Sequence, residues 1–185
     1  EGGAAPKYGP AGSPFASPLS QSHSYLADAS NGAPDYWAIS GHYVAQFNGA
    51  ACSVASVTAV RNAARTSIVK DSETKNVTQE GLLDQIGGEW KRRVSPDLGS
   101  RLFSLLSRNF VRGVTLDLLA EFAQEAFRKN GFPFAAAEVV RTESLSKLRQ
   151  DLAQNEKSAE DFILLNFDQK FFTDDSQAGH VAPVG

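Results

Sequence analysis

The chain has 185 residues, enough for one domain with a substantial core. Apolar residues at 42%, charged residues at 21% and a net charge of −3 describe an ordinary globular protein, and the scattered Lys and Arg exclude a nucleic-acid footprint. No apolar run reaches the length of a membrane span, and a lone cysteine excludes an intrachain disulfide or a cysteine-rich metal site.

Residues 1–24, rich in Gly, Pro, Ala and Ser, read as a flexible arm, and 25–185 as one folded domain. The sequence contains no Met, so Glu1 is expected to follow a cleavage or a trimmed start. Residues 42–46 form a short extended lead-in, and Asn48-Gly49 signals a turn. A helix follows from Cys52 to about Arg65, with Val54, Val57 and Ala64 on one face and Arg61 and Arg65 placed to complement the dipole at its end. Thr78 can cap a second helix whose inner side carries Leu82, Leu83, Ile86 and Trp90. Residues 91–112 are mixed and basic.

The clearest helix runs from Leu116 to Lys129. Thr115 is its N-cap, Asp117 lies in its first turn, and Leu116, Leu119, Phe122, Ala123, Ala126 and Phe127 form its buried stripe. Gly131 ends it as a C′ residue. Residues 134–140 predict a connecting strand, and a helix over about 143–155 is expected to bury Leu145, Leu148 and Leu152. The run Phe162-Ile163-Leu164-Leu165-Asn166-Phe167 predicts a buried strand. After a polar turn that includes Asp174 and Asp175, a second strand begins at His180. Helices first and strands last is an α+β order, with the N-terminal helical part packed on an antiparallel sheet.

The chemistry centres on Cys52, Gln46 and His180. Backbone N–H groups at a helix N-terminus carry about half a positive charge and favour a thiolate. An imidazole can pair with that thiolate and later protonate a leaving amine. The backbone N–H of Cys52 and the side-chain amide of Gln46 are the candidate donors to an oxyanion. Taken singly, each residue also fits a plainer role: Cys52 a small core residue, His180 a satisfied structural histidine, Gln46 an ordinary polar residue before a helix. His42 and His23 are weaker candidates. Asn166 reads as a buried residue that bonds backbone or orients an imidazole.

In their order, Gln46, Cys52-Ser53-Val54-Ala55-Ser56, Asn62-Ala63, Gly113-Val114-Thr115-Leu116, Asn166 and Gly179-His180-Val181-Ala182-Pro183 resemble the catalytic domain of phytochelatin synthases, most closely the bacterial phytochelatin synthase-like proteins. The resemblance covers roughly residues 36–185. It implies a papain-like cysteine-protease fold over 25–185 and a γ-glutamylcysteinyl transfer from glutathione or a related γ-glutamyl thiol peptide. Cys52 would attack the Cys–Gly amide and hold a thioester, with His180 as base and acid and Gln46 at the oxyanion. A second glutathione would take the acyl group to give a phytochelatin, or water would take it to give γ-glutamylcysteine.

No cofactor is implied, although a heavy metal can enter bound to the substrate thiolate. A homodimer is compatible with the resemblance, and an exported or periplasmic location after signal removal is the leaning for the compartment. The chain departs from the family pattern at Ser53, where Gly is usual. The family's orienting Asp would fall past Gly185, so the domain is expected to lack its C-terminal part. Two other readings stand beside this one: a papain-like peptidase of the double-glycine leader type, and a non-catalytic binding domain on the same fold.

Overall fold

The computed structural model describes residues 23–28, 30–69, 75–94, 114–158, 160–171 and 179–185. The predicted arm up to residue 22, most of the 91–112 segment and the turn containing Asp174 and Asp175 lie outside the described residues. The helices are α1 (His23–Ala27), α2 (Pro34–Ser40), α3 (Cys52–Ala64, continued by a π-helical turn over Arg65–Val69), α4 (Gln79–Ile86), α5 (Gly88–Val94), α6 (Leu116–Lys129) and α7 (Leu145–Asn155). Strands β1 (Leu164–Asp168) and β2 (Gly179–Pro183) pair antiparallel. The described residues thus form a mixed helical protein with a small antiparallel sheet, an α+β arrangement.

Helix α3 is the axis of the packing, because all thirteen of its residues are buried. On one side Cys52, Val54 and Val57 meet Leu82, Leu83 and Ile86 of α4, Leu119, Phe122 and Ala126 of α6, and Val181 of β2. On the other, Ala59, Val60 and Ala63 meet Ile39 of α2. Small side chains (Ala, Ser, Cys, Val) let neighbours approach this helix from every side. At its end Arg61 and Arg65 are not solvent-facing dipole partners. Arg61 donates to Asn62 Oδ1 (3.1 Å) and the Asn130 carbonyl (3.3 Å), and Arg65 donates to Asn76 Oδ1 (2.9 Å).

The predicted caps form. Thr78 Oγ1 accepts from Gly81 N (3.0 Å), and Thr115 Oγ1 from Leu118 N (3.2 Å). Gly131 takes φ +95° after α6, where the Phe132 N–H bonds the Phe127 carbonyl at 3.0 Å and the two rings meet tilted, 5.2 Å apart. The predicted helix through Trp90 instead breaks at Gly87 (φ +104°), so Trp90 belongs to α5 and reaches Phe122 at 5.6 Å.

Three expectations fail. Residues 134–140 form no strand: Phe134 lies in a turn, the rest have no regular structure, and the segment is held to α6 where the Ala135 carbonyl accepts from Arg128 Nε (3.3 Å). Ala135, Ala137 and Val139 line an apolar groove of about 800 Å³ with Leu119, Ala123 and Leu164. Helix α7 forms but leaves Leu145 exposed and Leu148 and Leu152 only half-buried, because it caps the rim of that groove rather than the core. Strand β1 is half-buried with Asn166 exposed, since only one neighbouring strand covers it among the described residues.

Candidate functional site

Gln46 and Cys52 are joined by a short turn built on Asn48. Its carbonyl accepts from Gln46 Nε2 (2.8 Å) and from the Ala51 N–H (3.2 Å), while its Oδ1 accepts from the Ala50 N–H (2.8 Å). The chain is thereby turned into α3 with Cys52 as the first helical residue. No acidic residue lies in the first turn and no side chain caps it, so the positive end of the helix macrodipole is not neutralised from within. Cys52 is 8% exposed.

His180 is delivered by β2. In the register Phe167↔His180 and Asn166↔Val181, the Val184 N–H bonds the Ile163 carbonyl at 2.9 Å. Counting in twos makes Phe167–His180 a hydrogen-bonded pair and Asn166–Val181 a non-hydrogen-bonded one. The Val181 peptide groups therefore face away from β1, and its carbonyl accepts from buried Ser56 Oγ at 2.9 Å. Ser56 stands one turn after Cys52, so α3 covers the open edge of β2. Successive side chains on β2 point to opposite faces. Val181 enters the core that holds Cys52, and His180 turns to the other face with its ring edge-on to Phe167 (5.7 Å, 78°).

Burial holds the His180 imidazole below its ordinary value of 6.5, so the ring is neutral at pH 7 and can accept a proton. The structure thus brings the strand of His180 onto the helix of Cys52, one residue and one turn from the two side chains. Among the described residues, no hydrogen bond joins the thiol to the imidazole or reaches the imidazole from elsewhere. Asn166, the alternative orienting group, is exposed and donates from Nδ2 to the Val114 carbonyl (3.3 Å). It bonds backbone as expected but ties β1 to the start of α6.

The other histidines lie elsewhere. His42 contacts Thr66 Oγ1 and Asn76 Nδ2, each at 3.3 Å, about 20 Å of helix from Cys52 at 1.5 Å per residue. Burial and then Arg65 push its pKa down. His23 is exposed on α1. Ser53, at the position where Gly is usual, is buried with its hydroxyl unpartnered.

Three residues escaped the sequence reading. Ser56 lies four residues from Cys52, which places both on one helix face, but its partner is 125 residues away. Gln79 reaches across to the loop around Gln46, a contact with no sequence signal. Asp35, at the start of α2, is fully buried. Neither of its carboxylate oxygens meets a donor in bonding geometry. Burial, then Glu156 and Asp161, push its pKa up to about 7, and the nearby Asn155 amide offsets only a little of this.

The described residues contain no group of three or more His, Cys, Asp or Glu that could hold a metal, and no helix long and apolar enough to cross a membrane. Fold and side chains together describe an α+β protein whose candidate chemistry gathers around one thiol at the head of its central helix. The family model of phytochelatin synthase matches residues 13–185, and the chain belongs to that family. The family is one of glutathione-related acyltransferases, which suggests glutathione as substrate. A search of the curated proteins finds no match.

Proposed function

We propose that this protein is a thiol acyltransferase or hydrolase on a papain-like fold that cleaves the Cys–Gly amide of glutathione. Cys52 Sγ gives its proton to His180 and attacks the carbonyl carbon. The oxyanion takes hydrogen bonds from the Cys52 backbone N–H and the Gln46 amide. As the C–N bond breaks, His180 passes the proton to the departing glycine nitrogen, leaving γ-glutamylcysteine as a thioester on Cys52. The amine of a second glutathione, or water, then gives a proton to His180 and takes the acyl group, and the thiol is restored. A heavy metal enters this scheme only as part of a glutathione thiolate.

The observation that supports the reading best is the Ser56–Val181 hydrogen bond, which ties the strand of His180 to α3 one turn after Cys52. The reading requires the His180 ring, edge-on to Phe167, to meet the thiol when substrate binds, as catalytic contacts tighten in the substrate complex. The test is to incubate the protein with glutathione and measure released glycine. Wild type is expected to release glycine and Cys52→Ala none. No glycine from the wild type, or equal release by both, overturns the proposal.

A further inference from the structure

The buried amide of Gln79 is used at both ends. Its Nε2 donates to the Ala45 carbonyl at 2.9 Å, and its Oε1 accepts from the Phe47 N–H at 3.2 Å. These two backbone groups stand on either side of Gln46. Gln79 opens α4, whose Leu82 and Leu83 pack in the same core as Cys52. Its own backbone is tied to α3 two residues earlier, where Asn62 donates from Nδ2 to the Val77 carbonyl and accepts from the Val77 N–H, both at 3.0 Å. The loop carrying Gln46 has no regular structure to hold it. A two-point hydrogen bond from a side chain anchored on α4 therefore sets where that loop runs.

We propose that Gln79 is a positioning residue. It fixes the peptide groups flanking Gln46 so that the Gln46 amide stands ready to meet the oxyanion formed at Cys52. The inference rests on the acyl-transfer reading above. An oxyanion donor works through preorganisation, because a donor that must be recruited during the reaction spends part of its stabilisation on being ordered. A displacement of about 1 Å can cost roughly 100-fold in rate. Loosening the clamp should therefore lower kcat, while the ground-state binding of glutathione, made by other contacts, keeps KM nearly constant.

The test is a double-mutant cycle on glycine release with Gln46→Ala, Gln79→Ala and the pair. Gln46→Ala is expected to lower kcat by about 100-fold or more, the cost of one oxyanion donor, and Gln79→Ala by about 10- to 100-fold. The double variant should be little worse than Gln46→Ala alone, because a displaced donor that is already absent costs nothing further. Amide exchange at Phe47 should speed up in Gln79→Ala while exchange within α3 stays slow. If Gln79→Ala does not fold, Gln79→Glu keeps the acceptor for Phe47 N–H and loses the donor to Ala45, and the same cycle applies. Multiplicative losses in the double variant, or a rise in KM with unchanged kcat, overturn the positioning role in an active enzyme. A wild type that releases no glycine overturns the acyl-transfer reading itself, and is distinguished by failing before any substitution is made.

Discussion

Asp35 should make folding stability fall as pH rises through neutrality. Its side chain is 0% exposed and no donor satisfies it, so the ionised form is the one the fold disfavours. Its folded pKa is raised from 3.8 to about 7. Below the unfolded value both states are protonated, and the contribution of the neutral carboxyl is fully present. Between the two values only the folded state holds the proton, so each pH unit removes about 1.4 kcal/mol, and above the folded value the contribution is gone. The whole loss is at most on the order of 4 kcal/mol, of which roughly 3 kcal/mol falls between pH 5 and pH 8.

Asp35→Asn keeps the shape and cannot ionise, and its amide could donate to Glu156, one of whose carboxylate oxygens is buried without a partner. Urea unfolding of both proteins at several pH values separates this effect from other titrations, since Glu156, His42 and His180 are common to both. The stability advantage of the variant over the wild type should widen by roughly 3 kcal/mol between pH 5 and pH 8. Parallel stability curves over that range would refute the reasoning.

Ser56→Ala removes a buried hydrogen bond between α3 and β2 and strands the buried Val181 carbonyl. It should cost about 1–3 kcal/mol in urea unfolding and slow glycine release more than it changes KM; Ala and Val variants equal to wild type in activity and stability would speak against the role. Burial lowers the His180 pKa, so its proton-accepting form should persist below pH 6.5. An NMR titration of the ring should show a midpoint under 6.5, and the acid limb of glycine release in the free enzyme should track it. A midpoint above 6.5 contradicts the environment described for β2.

Legibility in the sequence followed the range of the interactions. Helix caps at Thr78 and Thr115 and the Gly131 stop depend on residues three to five apart and formed where the pattern placed them, while the predicted stripe of α6 is buried at Leu119, Phe122 and Ala126 and only half-buried at Leu116, Ala123 and Phe127. The segment predicted as a strand over 134–140 has apolar residues but no strand beside it among the described residues, and periodicity carries no information about neighbours. Leu145 illustrates the same limit, because a helical apolar face is buried only if another element arrives to cover it. At the site, the turn from Gln46 through Asn48 into Cys52 is local and was legible.

By itself, the sequence determined the helices that open at Cys52, Thr78 and Thr115 and which side chains could do chemistry, because propensity, capping and the charge of a helix end act within a few residues. Only the tertiary structure decided that α3 lies on the open edge of β2, that Ser56 rather than a cap makes that join, and that Gln79 holds the loop of Gln46. It also decided that the His180 ring meets Phe167 while Val181 joins the core that holds Cys52. These follow from strand register and from contacts 34 to 125 residues apart, where the loss of chain entropy is offset only when the whole core assembles at once.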